Sequence, residues 1–282
     1  MISEITYLAS NTIISLYGVL IKYYSNITVF EQLFIRTIAF VIISIFGLLY
    51  NKHSIINNIF TYDSIILSIV NLSSIYGIYI SFKELGMGIT NSIFYTWPII
   101  LYLSSVPVLH SKFSIKEFII IVTTMFAMLL ILSNKLNKSI NTHEVIGIIG
   151  LFVSIITHIS VILYFKKKDN NVHAYLLKQY GFALIILILI YYNTNEKNVQ
   201  YKKDYLPIFL YSLIIGYIGF YLNFYSIKKL NSFKISILEF LSIAFSFIIG
   251  FMLFNEEASI LQWIGVVTII TLNYYSFNFL NK

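Results

Sequence analysis

The chain has 282 residues, 58% of them hydrophobic and only 11% charged, with a net charge of +7 and no cysteine. A soluble domain is about a quarter charged, so a water-soluble globule is excluded, and the missing thiols exclude disulfides and thiolate metal sites. The lysines fall in connecting stretches such as Lys166-Lys167-Lys168 and Lys202-Lys203, which reads as topology signalling toward anionic lipid headgroups, with no nucleic-acid partner.

Between the charge clusters lie apolar runs. A bilayer core of about 30 Å needs about 20 apolar residues in a helix, and these runs are too long and too continuously apolar for barrel strands. The predicted helices of the first half are 4–23, 28–50, 62–82, 90–109 and 118–133. Those of the second half are 145–165, 173–192, 205–226, 233–254 and 259–277. The first run has no basic leader or small-residue cleavage site and is read as a retained helix. The polar link 134–144 divides the chain into a first five-helix repeat, 1–135, and a second, 143–282.

A shift of 142 positions supports that division. It brings Arg36 onto Lys178, Ala39-Phe40 onto Gly181-Phe182, Tyr50-Asn51 onto Tyr192-Asn193, Gly77 onto Gly219, Tyr79 onto Tyr221 and Phe82 onto Phe224. Five helices per unit is an odd number, so two tandem units enter the membrane in opposite senses. The expected fold class is therefore all-α: a polytopic membrane protein of ten transmembrane helices in two inverted five-helix repeats, with substrate between them. With the N-terminus inside, ten loop lysines face the cytoplasm against seven outside, a bias toward both ends being cytoplasmic.

Polar residues inside these helices are the candidate site. The first helix carries Asn11, Ser15, Gly18 and Lys22 at i, i+4, i+7 and i+11. Arg36, about 12 Å into the second helix, is the only arginine beside eighteen lysines; a planar, permanently charged fork is wanted there, either for substrate or for a structural pair. Glu31 and Lys22 flank one short link and are placed to pair at the interface. The third helix has Ser74, Gly77 and Ser81, with Tyr79 beside them. The fourth has Asn91, Tyr95, Pro98 and Tyr102, with Trp97 next to the proline, which is expected to break a hydrogen bond and supply a hinge. In the sixth, His158 aligns with Gly147, Gly150 and Ser154 and reads first as a packing residue. The eighth has Ser212, Gly216, Gly219 and Asn223. In the ninth, Glu239 shares a stripe with Ser236, Ser246 and Gly250. An acid there suits proton coupling or cation binding, or else a hydrogen bond to a neighbouring helix. The small residues read as close helix packing. The candidate substrate-binding set is Asn11, Ser15, Arg36, Tyr79, Asn91, Tyr95, Trp97, Tyr102, His158, Asn223 and Glu239. No phosphate loop, nucleophile elbow, metalloprotease motif or carboxylate cluster is present, and the five histidines form no close pair of ligand spacing, so no enzyme, cofactor or metal is expected.

Three segments carry a resemblance to a known family. Phe30-Glu31-Gln32-Leu33-Phe34-Ile35-Arg36 opens the second helix, and Trp97-Pro98 lies in the fourth. Leu253-Phe254-Asn255-Glu256-Glu257 precedes Gln262-Trp263-Ile264-Gly265 near the end. With them the chain resembles the ten-helix EamA-type branch of the drug/metabolite transporter superfamily over its whole length. It departs at Leu109-His110-Ser111-Lys112, where the family usually has an acid. The resemblance implies a secondary active transporter, working as a monomer in a bacterial inner membrane. It implies a small metabolite as substrate, such as an amino acid or a derivative like S-adenosylmethionine. Leu238-Glu239-Phe240 and the spacing from Glu31 to Arg36 look similar to S-adenosylmethionine carriers. The competing function is a membrane-embedded accessory subunit or enzyme of lipid modification.

Overall fold

The computed structural model describes residues 2–23, 27–52, 59–132, 142–168, 171–193, 203–254 and 259–279. Among these, ten helices follow one another: α1 Ile2–Tyr23, α2 Val29–Tyr50, α3 Tyr62–Phe94, α4 Trp97–Leu109, α5 Ile115–Leu132, α6 Thr142–Lys167, α7 Val172–Asn193, α8 Tyr205–Lys229, α9 Ser232–Phe254 and α10 Ile260–Phe279. Within the described residues, six stretches are long and apolar enough to cross a bilayer: Phe30–Tyr50, Tyr62–Ser81, Ile115–Leu132, Val145–Lys167, Val172–Tyr192 and Tyr205–Lys229. Lipid-facing positions such as Phe46, Phe126, Ile149 and Val267 are exposed, as expected where the solvent is hydrocarbon. α2 opens with a capping box in which Thr28 and Glu31 satisfy each other's backbone N–H groups.

Eight helices close into a ring. Going round it, α2 packs on α8, α8 on α1, α1 on α9, α9 on α4, α4 on α6, α6 on α3, α3 on α7, and α7 back on α2. α5 and α10 pack on each other and on α9. Exchanging each helix n of the first half for n+5 returns the same ring. The counterpart helices also cross antiparallel. In α2 and α7, Arg36 meets Tyr180 and Gly47 meets His173. In α4 and α9, Pro98 meets Ser236 and Tyr102 meets Phe233. In α5 and α10, Ala127 meets Gly265 and Ile131 meets Gln262.

The third and fourth helices differ from expectation. Helical hydrogen bonding continues from Tyr62 to Phe94, past the expected end at 82. The path is nonetheless not one rod. Ser74 bonds to Ser154, Gly77 abuts Gly150, and Leu85 abuts Gly147, so α3 and α6 run antiparallel. Phe94, however, lies against His158, eleven residues or about 16 Å back along α6. The chain therefore reverses between Leu85 and Phe94, and the fourth span consists of the end of α3 followed by α4. The break falls at Tyr95 and Thr96. Pro98 is a helix starter in the first turn of α4, where its missing N–H costs nothing; it is not a hinge inside a continuous helix.

The stripes of small residues are crossings. A Cβ on Gly77 would lie 2.3 Å from the Gly150 carbonyl oxygen, and Ser81 Oγ donates to the carbonyls of Gly77 and Gly147 at 2.7 Å. The residue paired with Gly77 by the repeat, Gly219, occupies the equivalent crossing of α8 on α1, with Ile13 and Ile14 at 3.0 Å from its would-be Cβ. Gly77→Ala forces one backbone off another and is expected to destabilise by about 1–3 kcal/mol. Gly219→Ala meets side chains that can yield and is expected to cost less. Thermal melts of the two variants in detergent check the order.

Candidate substrate-binding site

Arg36 is only 6% exposed, inside the ring on α2. Its guanidinium carbon lies 4.8 Å from the Phe220 ring centroid, 5.2 Å from Phe40 and 5.9 Å from Tyr180, and Nη2 donates to the Tyr180 hydroxyl at 3.0 Å. Buried Tyr79 interacts with the same group. A delocalised cation is weakly hydrated and tolerates an aromatic wall that a lysine ammonium does not. This accounts for the one arginine in a lysine-rich chain.

A second polar centre joins α1, α8 and α9. Glu239 Oε2 accepts from Tyr7 Oη at 2.8 Å and from Asn11 Nδ2 at 2.7 Å. Asn223 Nδ2 donates to Asn11 Oδ1 at 2.9 Å and to Ser10 Oγ at 3.3 Å. Tyr95, at the break before α4, feels the Glu239 charge. Phe220 at Arg36 and Asn223 in this network are three residues apart on α8, so they share one face within a turn. A π-helical turn, Ser212–Gly216, precedes them; such turns recur at functional sites. Asn11, Tyr95, His158, Asn223 and Glu239 are each partly accessible on helices of the ring.

A third group lies on α4 and α6. The His158 ring is edge-on to Trp97 at 5.0 Å and tilted against Phe94 at 5.7 Å. Ser236 Oγ donates to the Pro98 carbonyl at 2.7 Å, which binds α9 to α4 one residue beyond Trp97 and one turn before Glu239.

Other expected residues behave differently. The hydroxyl of Tyr102 is held at the corner between α4 and α5, donating to Glu117 Oε2 at 2.8 Å and accepting from the Ser114 N–H at 2.9 Å. The side chains of Ser15, Asn91 and Lys22 lie outside the described residues. Glu31, expected to pair with Lys22, caps α2 and accepts from the Tyr205 hydroxyl. At Lys178, the repeat partner of Arg36, the backbone carbonyl accepts from Ser64 and Ser68. Tyr7, Phe40, Tyr180 and Phe220 were missed. Tyr7 extends the Asn11 stripe by one turn and was available to periodicity. The aromatics around Arg36 carry no signal among 24 phenylalanines and 23 tyrosines.

One end of the ring is closed. Phe165, Tyr175 and Phe224 form a cluster across it, with ring centroids 4.5–5.1 Å apart. Lys166 Nζ donates to the carbonyls of Ile227 and Leu230 at the end of α8. Nearby, His173 Nδ1 and the Tyr217 hydroxyl are hydrogen-bonded at 2.7 Å. Asp63 accepts from Tyr164 at 2.5 Å and lies 3.5 Å from Lys168.

Fold and composition together define a multi-pass integral membrane protein. Residues 145–272 match the model of the EamA-like transporter family. No curated protein matches the sequence. A crystal structure of a protein superposes on this chain with a TM-score of 0.79, over 98% of each chain at 10% identity, a likeness of fold alone.

Asn11→Leu removes a donor from Glu239 and the acceptor of the Asn223 amide. We expect a loss of about 1–3 kcal/mol. Adding Glu239→Gln should restore part of it, because an amide costs less than a carboxylate to leave under-bonded. Melting the two single variants and the double variant gives the coupling; additive losses would show that the carboxylate does not depend on Asn11.

Proposed function

We propose that the chain is a secondary active transporter that moves a small zwitterionic metabolite, an amino acid or a derivative such as S-adenosylmethionine, by alternating access. The observation that carries this is a buried guanidinium against Phe220 of α8 together with a partly accessible carboxylate whose partner Asn11 bonds to Asn223, three residues further along α8. Two hydrogen bonds of about 3 Å and a small zwitterion between them span roughly 9 Å. Arg36 then takes the substrate carboxylate, and Glu239 the ammonium or a coupled proton. Charged groups inside a membrane bundle are retained at a cost of at least about 2.5–3.5 kcal/mol each. The EamA-like domain supports the same reading.

The two halves work as inverted repeats within a monomer. Antiparallel crossing of α2 with α7, α4 with α9, and α5 with α10 supports this, as does the ring's invariance under exchange of halves. The broken fourth span supports it too, since discontinuous helices mark midplane sites in such proteins. Transport requires the Phe165–Tyr175–Phe224 closure to part while its counterpart at the other end forms.

Uptake into proteoliposomes, measured with labelled amino acids and S-adenosylmethionine, tests the function directly. Lysine keeps the charge at position 36 but not the bidentate fork. Arg36→Lys is therefore expected to weaken binding by more than about tenfold, or 1.4 kcal/mol, in protein that stays monodisperse. Unchanged affinity in a stable lysine variant would rule out the clamp.

Inversion has its own test. Reporters fused at Lys282 and within the link 134–144 are expected in opposite compartments. Finding both on one side would exclude two five-helix repeats of opposite sense.

A further inference from the structure

Outside the ring, α5 and α10 flank an open groove of about 330 Å³, lined by Thr123, Phe126, Ala127, Leu129, Leu130 and Thr268. A Cβ on Gly265 would lie 2.4 Å from the Ala127 carbonyl oxygen. The two backbones therefore touch at this crossing, and glycine puts no side chain into the seam. The groove falls within the membrane-spanning stretch Ile115–Leu132. Its threonine hydroxyls have no donor to spare: Thr123 donates to the Ile119 carbonyl and Thr268 to that of Ile264, each at 2.8 Å. The rest of the lining is apolar, so a polar solute finds no partner here and a hydrocarbon chain loses nothing by entering.

Charge stands at one end of the same face. Lys116, Thr123 and Leu130 are spaced i, i+7 and i+14, which keeps them in line on α5 with a drift of about 20° per heptad. Lys116 is exposed in the first turn of the helix, about 10 Å from Thr123 along its axis, and exposed Lys112 precedes it in the link from α4. Among the described residues neither lysine has an ion pair, and the neighbouring Glu117 accepts from the Tyr102 hydroxyl. α10 runs antiparallel to α5, with Ala127 at Gly265 and Ile131 at Gln262. That register brings Tyr275, seven residues beyond Thr268, level with Lys116, at the depth where tyrosines meet headgroups.

We propose that the groove between α5 and α10 holds one acyl chain of an anionic phospholipid whose phosphate lies at Lys116. Lys112 adds to the field at the headgroup. A zwitterionic phospholipid can supply the same chain but brings no net charge to the lysines, so the selectivity lies in the headgroup. A lysine near an anionic headgroup favours it by about fivefold. This surface lies outside the ring and is independent of what the ring carries.

The test uses the full chain in detergent, given phosphatidylglycerol or phosphatidylcholine with the same photoreactive diazirine in mid-chain. Labelled positions are mapped by mass spectrometry. The exposed face of α6 at Ile149 and Phe152 supplies the level of unselected lipid. Phosphatidylglycerol is expected to label 123–130 and the region of Thr268 about tenfold more than phosphatidylcholine does, with the two lipids equal at α6. Lys112→Gln combined with Lys116→Gln should remove that preference while phosphatidylcholine labelling persists. Thr268→Trp puts an indole into the groove and should lower labelling of 123–130 to the α6 level. Equal labelling by the two lipids overturns the proposal, as does a preference that survives the lysine changes, groove labelling no stronger than that of α6, or full labelling in Thr268→Trp. A dimeric particle whose groove labelling falls as protein concentration rises assigns the face to a second copy of the chain and overturns it as well.

Discussion

A peptide group in hydrocarbon finds no water to bond, so it must be satisfied within its own helix. That constraint turns this chain into ten helices and leaves side chains to decide how they meet. Lipid gives no hydrophobic reason for helices to associate; contact comes from close approach and from polar groups that reach across. Gly77 against Gly150 and Ser81 on the Gly147 carbonyl are such contacts. They set how tightly α3 lies on α6, and Gly219 does the same for α8 on α1. At Gly77 two backbones meet, whereas at Gly219 the backbone of α8 approaches side chains of α1.

The ionisable residues on the helices of this ring are placed among polar and aromatic partners. Arg36 lies against the rings of Phe40, Tyr180 and Phe220 and donates to the Tyr180 hydroxyl, a surrounding that suits a delocalised guanidinium. Glu239 is held by neutral donors from α1. Among the described residues the hydrogen bonds to its Oε2 come from uncharged groups. The break before α4 falls at Tyr95 and Thr96; irregular backbone within a membrane bundle is tolerated where protein covers it.

At one end of the ring α6, α7 and α8 are held together by side chains alone. The aromatic cluster of Phe165, Tyr175 and Phe224 excludes water by packing alone, and Lys166 ties the ends of α6 and α8 through two carbonyls. No covalent or metal link spans these contacts among the described residues.

Composition and apolar run length by themselves determined that the chain is helical and membrane-embedded, because bilayer thickness imposes a length that sequence displays directly. Helical periodicity also found Asn11, Arg36, Asn223 and Glu239, since a polar residue in an apolar run stands out wherever it points. The 142-residue shift paired Gly77 with Gly219 before their crossings were known. Only the tertiary structure decided which of these residues meet. It brought Tyr7 and Asn11 to Glu239 across more than two hundred residues, enclosed Arg36 in phenylalanines and tyrosines indistinguishable in sequence from lipid-facing ones, and removed Tyr102 to a turn and Glu31 to a helix cap. It also set Phe94 and Trp97 against His158, because a one-dimensional pattern of polarity records facing but not partner.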